Sequence, residues 1–169
     1  MKIKPGPFKR LFLIFLMSIW AACAYAAEGH CSSDEQVFFS CVISKSPKVV
    51  SICASPKLTK RKGVLVYRFG ALGKLEFEFS SQAGDLENKF KLWRYWRYQT
   101  ERTELSFNNG KFTYTVFDYY DGQEKLPYRR GIRVSPKNGK GKEVELQCSG
   151  NVVSSLEKLE GIIQTHRGP

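Results

Sequence analysis

Histidine is scarce in this sequence, and the motifs of several large enzyme classes are missing. The 169 residues contain two histidines, His30 and His166, and we expect both to lie beside a terminus of the mature chain, where order is poor. There is no H-E-x-x-H zinc motif, no G-x-S-x-G nucleophile elbow and no glycine-rich phosphate loop. Glu76 and Glu78 form a carboxylate pair, but alternation on the solvated face of a strand explains them. We therefore predict a protein that is not an enzyme and uses no cofactor and no metal.

Long apolar runs are also missing, with one exception near the N-terminus. The run "LFLIFLMSIWAA" has a dozen residues, whereas a membrane-spanning helix needs roughly 20. Four basic residues and no acidic one precede it, and "AYA" follows. This pattern predicts a signal peptide over residues 1–26, and a periplasmic or secreted mature chain without a transmembrane helix. The alternative is a lipoprotein anchored through Cys23, although Trp20 stands where a lipobox has leucine.

Acidic residues are fewer than basic ones. The predicted leader holds four of the 27 lysines and arginines, so 23 remain in the mature chain against 16 acids. A positive field of this size favours an anionic glycan, a lipid headgroup or an acidic envelope protein as partner, and we do not expect nucleic acid. The alternative interpretation is that the charge only keeps the protein soluble, because it is spread along the chain.

Four cysteines remain in the predicted mature chain, and they predict two disulfides. They are Cys31, Cys41, Cys53 and Cys148, and zinc is the alternative, but the spacing contains no C-x-x-C clip. A hairpin centred on Pro47 would place Cys41 opposite Cys53, within disulfide range. Cys31 would then pair with Cys148.

Segments with strand periodicity recur about every ten residues. "VLVYRF" and "KLEFEF" flank the turn "GALG", and Asp121-Gly122 separates "YTVFDYY" from "QEKL". The dipeptide Asn109-Gly110 is typical of a type I′ hairpin turn. This turn predicts that Phe107 lies opposite Phe112 and Leu105 opposite Tyr114.

Helical periodicity is confined to the C-terminal segment. Val152, Leu156, Leu159 and Ile163 would form one apolar stripe on a helix over about residues 152–163. The sequence therefore predicts a mainly β protein, an antiparallel β-barrel or sandwich of about 8–9 strands with one C-terminal α-helix, built as one domain over residues 27–169.

The stretch "KLWRYWRYQTER" is the densest mixture of aromatic rings and cations. On an extended strand Arg94 and Trp96 share one face while Trp93, Tyr95 and Arg97 share the other, so neither face is a clean core or a clean surface. We predict a bulge or bend near residues 99–102 that re-aims these side chains. The predicted ligand-binding residues are Trp93, Arg94, Tyr95, Trp96, Arg97 and Arg102. The alternative is ordinary cross-strand packing of rings under arginine stems.

Several segments resemble an uncharacterised family of small exported bacterial proteins. They are "SICAS", "VYRFG", "WRYQTERTELSFNNG", "YTVFDYYDG" and "GIRV", which occur in that order between about Cys31 and Leu159. The resemblance implies export and a β-rich domain, and it implies no activity and no functional residue.

We therefore expect a non-enzymatic binding module that recognises an anionic ligand of the cell envelope through the aromatic and cationic stretch. The alternative function is a small disulfide-stapled inhibitor or immunity protein that acts on an envelope enzyme. The size, the predicted export and the β-rich pattern fit both.

Overall fold

A computed structural model describes residues 29–167, and these residues form a mainly β structure, as the strand periodicity predicts. The predicted leader and Cys23 lie outside the described residues. Ten strands join in one sheet in the order β10-β5-β6-β7-β8-β9-β1-β2-β3-β4. The strands are β1 (Gln36–Ile43), β2 (Lys48–Ala54), β3 (Val64–Ala71), β4 (Lys74–Gln82), β5 (Phe90–Arg97), β6 (Thr100–Asn109), β7 (Phe112–Asp121), β8 (Tyr128–Pro136), β9 (Val144–Ser154) and β10 (Thr165–Arg167). One short helix, α1 (Leu86–Lys89), precedes β5.

The sheet differs from the predicted antiparallel barrel or sandwich in three respects. It has ten strands rather than 8–9, it curls into a half-barrel, and β10 pairs with β5 in parallel. The parallel pair arises because the chain returns along the free edge of β5 after β9. Within residues 29–167, no helix has the length and apolarity needed to cross a membrane.

A cluster of aromatic rings fills the inside of the curled sheet. The Phe107 ring of β6 lies 4.3 Å from the Phe79 ring of β4, centre to centre, and 5.0 Å from the Tyr67 ring of β3. β4 ends the sheet while β6 is third from the opposite end, so these contacts require the sheet to wrap around its core. We call the side that holds this cluster the core face and the other side the outer face.

The Asn109-Gly110 hairpin forms, but its predicted register is wrong by two residues. Phe107 lies opposite Tyr114 rather than Phe112, and Asn109 lies opposite Phe112. Gly110 has a φ of +56° and occupies the first of the two turn positions, as in a type II′ turn. Because the shift is an even number, every side chain keeps its predicted face. Leu105, Phe107 and Val116 are accordingly buried in the core.

Two segments predicted as regular elements adopt other structures. Residues 122–127, which include "QEKL", form a loop rather than a strand. The predicted C-terminal helix is wrong, because β9 continues to Ser154 and only the turn Leu156–Leu159 is helical, of the 3₁₀ type. Pairing with β1 outcompetes helix formation up to Ser154. Leu156, Leu159 and Ile163 are nevertheless buried, so the apolar stripe packs on the core without a helix.

All four described cysteines form disulfides, as predicted, but the predicted pairing is wrong. The bonds join Cys31 to Cys53 and Cys41 to Cys148, with Cα–Cα distances of 5.4 and 5.7 Å. The β1–β2 hairpin turns at Lys45, whose φ is +59°, rather than at Pro47. Cys41 consequently lies opposite Val50 and not opposite Cys53. Nothing in the local spacing favours that earlier turn.

A half-buried ion pair holds the segment that precedes β1 onto β3. The Glu35 carboxylate accepts hydrogen bonds from Arg68 Nη1 (2.5 Å), Arg68 Nη2 (3.0 Å) and the Ser32 backbone N–H (2.9 Å). Burial alone would raise the pKa of Glu35, but the hydrogen bonds and the charge of Arg68 outweigh it and hold the pKa below its usual value. A carboxylate whose pKa falls on folding stabilises the protein above its unfolded pKa, and that stability is lost as the pH falls.

We therefore expect Glu35→Gln to lower the free energy of unfolding by about 1–3 kcal/mol at neutral pH, because Arg68 loses a charged partner. The deficit should shrink as the pH falls below the ordinary glutamate value of 4.5, where the wild-type carboxylate also becomes protonated. Denaturant unfolding across that range measures it, with Asp34→Asn as control, since Asp34 is an exposed neighbour. A deficit that does not change with pH would contradict the ionic origin.

Candidate functional site

The strand β5 divides the predicted ligand-binding residues between the two faces of the sheet. Phe90 and Leu92 are fully buried in the core, so Arg94 and Trp96 continue the core face by alternation. Trp93, Tyr95 and Arg97 therefore lie on the outer face. Arg102 of β6 lies directly opposite Tyr95, which places it on the outer face too. Four of the six predicted residues thus share one surface, and Arg94 and Trp96 belong to another.

The stretch "KLWRYWRYQTER" contains a tight turn and not the bulge or bend that was predicted near residues 99–102. Arg97 pairs with Thr100, so Tyr98 and Gln99 form a two-residue loop between β5 and β6. Gln99 has a φ of +57°, the left-handed conformation that such loops need. Its carbonyl accepts a hydrogen bond of 2.8 Å from the Gly122 N–H. The turn reverses the chain, and both strands keep regular alternation.

A row of alternating rings and cations crosses four strands of the outer face. Tyr95 lies opposite Arg102, Tyr119 of β7 lies opposite Arg102, and Arg129 of β8 lies opposite Tyr119. The guanidinium carbons of Arg102 and Arg129 lie 5.7 and 5.9 Å from the centre of the Tyr119 ring, within the range of cation–π attraction. We call Tyr95, Arg102, Tyr119 and Arg129 the outer row.

Trp93 and Arg97 extend the outer row along β5. The rings of Trp93 and Tyr95 are nearly parallel, with an interplanar angle of 9° and a centre-to-centre distance of 6.3 Å. The guanidinium carbon of Arg97 lies 6.0 Å from the centre of the Tyr95 ring. This part of β5, next to the edge strand β10, therefore carries two half-buried rings, with Arg97 and Arg102 beside Tyr95.

Phe117 supports the outer row from beneath, although it belongs to the solvent-facing side of β7. Its ring is completely buried because it lies across Gly131 of β8, directly opposite, and under two arginines. The guanidinium carbons of Arg129 and Arg133 are 5.6 and 5.8 Å from the ring centre. A Cβ at position 131 would lie 3.0 Å from the Phe117 Cζ and would collide with the Leu146 carbonyl oxygen. Glycine at 131 thus makes room for the ring.

On the part of the outer face formed by β6 to β9, most of the charged side chains are paired with one another. Glu104 accepts hydrogen bonds from the Tyr119 hydroxyl and from Arg133 Nη2, and Arg129 forms a bidentate ion pair with Glu145 at 2.7 Å. Burial, together with the neighbouring Glu104, raises the pKa of Tyr119 to about 12, so its hydroxyl remains a donor. Burial alone would lower the pKa of Arg133, but its contacts with Tyr119 and Glu104 raise it.

Arg97 and Arg102 are different, because neither forms an ion pair with any carboxylate of residues 29–167. Both side chains are exposed. Arg97 Nε makes one long hydrogen bond, 3.4 Å, to Thr100 Oγ1. The outer face therefore presents two cations with free donors beside the Trp93 and Tyr95 rings.

A polar cleft occupies the core face at the same, C-terminal end of β5. Arg94 bridges Glu101 and Glu160 through its two terminal nitrogens, and Arg130 Nε donates to Asp118 Oδ1 at 2.6 Å. Two adjoining depressions of about 440 and 410 Å³ share Glu101 as a wall. We call this region the core-face cleft. It is lined by Arg94, Trp96, Glu101, Thr103, Asp118, Tyr120, Tyr128, Arg130, Ser154, Glu157, Glu160 and Arg167.

Glu160 joins the last turn of the chain to this cleft. It also accepts a hydrogen bond of 3.0 Å from Arg167 Nη2. The hydrogen bonds from Arg167 and Arg94 lower the pKa of Glu160 below its usual value. The carboxylate is therefore held in its ionised, accepting form.

Most of the cleft residues were absent from the sequence-based prediction. Alternation could have found some of them, since Glu101 has the same parity as buried Leu105, and Asp118 has the parity of buried Val116. Charged residues with the parity of the core are a signal of a polar cavity. The partners from the C-terminal turn carry no such signal, because only the three-dimensional path of the chain brings them near β5.

One group of potential metal ligands occurs among residues 29–167. The sulfurs of Cys31 and Cys53 and a carboxylate oxygen of Glu35 lie within 4.8 Å of one another. The two sulfurs are bonded to each other, so they supply no thiolate to a metal ion. The carboxylate is already bound by Arg68.

Comparison of the chain with protein-family models, with curated proteins and with solved structures gave no match.

Proposed function

We propose that the protein is an exported, non-enzymatic binding module and that its outer face holds an anionic ligand of the cell envelope. The contact surface consists of the outer row with Trp93 and Arg97. Export is supported by the two disulfides, since such bonds persist in oxidising compartments. The predicted signal peptide supports it as well.

The observation that carries the proposal is the pair of exposed arginines without carboxylate partners. Other arginines of the same face, such as Arg129 and Arg133, are matched with Glu145 and Glu104. Arg97 and Arg102 are oriented by rings instead, through cation–π contacts with Tyr95 and Tyr119. A ring orients a guanidinium but leaves its N–H donors free, so the donors can meet an external acceptor.

A phosphate, sulfate or carboxylate group fits these donors. A guanidinium binds such groups through two parallel hydrogen bonds. Trp93 and Tyr95 would cover the apolar part of the same ligand, either the carbon face of a sugar or the glycerol region of a lipid headgroup. The electrostatic part of this contact must weaken as salt rises.

We expect the double variant Arg97→Gln/Arg102→Gln to bind an anionic probe about tenfold more weakly than the wild type at low salt, and to show a smaller salt dependence. Loss of charge-assisted hydrogen bonds worth about 1.5 kcal/mol or more accounts for at least that factor. The probes are polygalacturonate, as an anionic glycan, and vesicles of phosphatidylglycerol, as a lipid surface. Equilibrium titration with each probe at several salt concentrations gives the result and distinguishes the two sources.

The matched control is Arg61→Gln/Lys62→Gln, which removes the same charge from exposed positions in the β2–β3 loop. It should bind like the wild type. Equal losses in both double variants would mean that only net charge matters, and failure of the wild type to bind either probe would contradict the proposal.

A further inference from the structure

The core-face cleft carries almost no net charge, in contrast to the outer face. Its lining has four carboxylates, Glu101, Asp118, Glu157 and Glu160, and three guanidiniums, Arg94, Arg130 and Arg167. All three arginines are ion-paired with carboxylates of the cleft. A lining that is nearly neutral does not select strongly for an anion or a cation.

The paired groups are held in fixed positions, which suits recognition of hydroxyl groups. Arg94 forms ion pairs with Glu101 and Glu160, and Asp118 forms an ion pair with Arg130. Each pair presents carboxylate lone pairs next to guanidinium N–H groups. A hydroxyl group donates one hydrogen bond and accepts others, so a sugar hydroxyl can satisfy both members of such a pair.

Aromatic rings flank these pairs and are accessible. The Trp96 side chain is 77% exposed, and Tyr128 is 56% exposed. The Tyr120 and Tyr128 rings pack against each other at 5.1 Å. Exposed rings grouped beside fixed polar groups form a surface that suits a sugar, because their flat faces match the C–H face of a pyranose ring.

Two polar atoms in the cleft have no hydrogen-bond partner among residues 29–167. They are Arg94 Nε in one depression and Ser154 Oγ in the other, and both atoms are buried. A buried donor without a partner is destabilising. Neither atom is exposed to solvent, so a water or a ligand oxygen would have to enter from the cleft past the neighbouring side chains to satisfy it. This observation is independent of the charge balance and of the rings.

We infer that the core-face cleft binds a neutral oligosaccharide, with one sugar unit in each depression and Glu101 between them. The volumes, about 440 and 410 Å³, lie within the range of small-molecule sites, roughly 300–1,000 Å³. Trp96 stacks on the unit beside Arg94, and the Tyr120–Tyr128 pair stacks on the unit beside Asp118. An apolar ligand is disfavoured because it would displace water from the paired charges without replacing the hydrogen bonds of that water.

Two tryptophans on opposite faces of β5 make the inference testable by fluorescence. In the full chain with Trp20 replaced by Phe, the further change Trp93→Phe leaves Trp96 as the only reporter, inside the cleft. Titration with chitohexaose, cellohexaose and maltohexaose should give a saturable signal with at least one of them. The complementary variant, Trp96→Phe, reports from the outer face and should give none.

Affinity for the sugar that binds should fall about tenfold or more in Tyr128→Ala, measured with the Trp96 reporter, because a stacking ring is lost. Arg97→Gln/Arg102→Gln should keep the sugar affinity of the wild type, so failure here and failure of the outer-face proposal are distinguishable. No saturable response to any of the three hexasaccharides at 10 mM (roughly the millimolar limit of weak binding), or an unchanged affinity in Tyr128→Ala, would overturn the inference.

Discussion

Replacement of both Cys41 and Cys148 by alanine lowers the free energy of unfolding by about 5 kcal/mol, the largest loss that we expect from any pair of substitutions in this chain. The disulfide that they form closes a loop of 107 residues and joins β1 to β9 in the middle of the sheet. The denatured chain gains more conformational freedom when a longer loop is opened, and the chain-entropy relation gives about 5 kcal/mol for this length. Denaturant unfolding under non-reducing conditions measures the loss.

The matched comparison is Cys31→Ala/Cys53→Ala, which opens a loop of 22 residues. The same relation gives about 3 kcal/mol, so the order of the two losses tests the entropic account. A thiol assay tests the pairing itself. In Cys41→Ala/Cys148→Ala no new thiol should appear, because Cys31 and Cys53 remain bonded to each other, and Cys23 contributes equally to both proteins. Two additional thiols would support the pairing expected from the hairpin centred on Pro47 and contradict the structure.

Phe117→Ala should cost about 3–5 kcal/mol, an effect typical of a core phenylalanine, although the residue lies on the outer face. The ring is completely buried, and its removal leaves a cavity over Gly131 that no neighbouring side chain can fill without moving Arg129 or Arg133. The ring of Tyr119, 5.0 Å away, also loses its support. The loss of stability should therefore come with weaker binding at the outer row.

Phe112→Ala is the control, since it makes the same change on the same strand at a ring that is 44% exposed. The control should lose less than about 1 kcal/mol, as exposed sites usually do. Denaturant unfolding of both variants measures the two losses of unfolding free energy. If Phe117→Ala is as mild as Phe112→Ala, the arginines do not seal the ring from water, and the layer beneath the outer row is not rigid.

In the hairpin of β6 and β7, local alternation was sufficient to predict which face each side chain occupies, because the period of a strand is two whatever its partner. Leu105, Phe107 and Val116 are on the core face as predicted, even though the register of their hairpin is shifted by two residues. Alternation carries no information about register, which depends on the residue that adopts positive φ. Lys45 and Gly110 occupy those positions. Lys45 was not the predicted turn centre, and Gly110 was predicted as the second turn residue whereas it is the first.

The C-terminal segment shows a second limit of local sequence analysis. Val152, Leu156 and Leu159 have helical spacing, yet Val152 is in β9. A strand that can complete a sheet gains hydrogen bonds from a distant partner, here β1, and the helical pattern contains nothing about that partner. The disulfide between Cys41 and Cys148 depends on the same long-range pairing.

The candidate site was predicted in part because its strand was identified and its two faces were not assigned. The rings and cations of β5 belong to two surfaces with different electrostatics. The outer face has unpaired arginines, and the core-face cleft has matched ion pairs. Only the burial of Phe90 and Leu92 assigns Arg94 and Trp96 to the cleft. Apart from Glu101 and Thr103 of the neighbouring strand β6, the cleft's other walls come from β7, β8, β9 and the last turn, which lie far away in sequence.

The proposed anion-binding function is tested most directly by the two single-tryptophan proteins, both carrying Trp20→Phe, titrated with polygalacturonate and with phosphatidylglycerol vesicles. The protein that retains Trp93 should show a saturable fluorescence change that weakens as salt is added, and the protein that retains Trp96 should show none. A fluorescence change of Trp96 alone would place the anion in the cleft. No fluorescence change in either protein would mean that Arg97 and Arg102 bind neither probe. Either result would contradict the assignment of anion binding to the outer row.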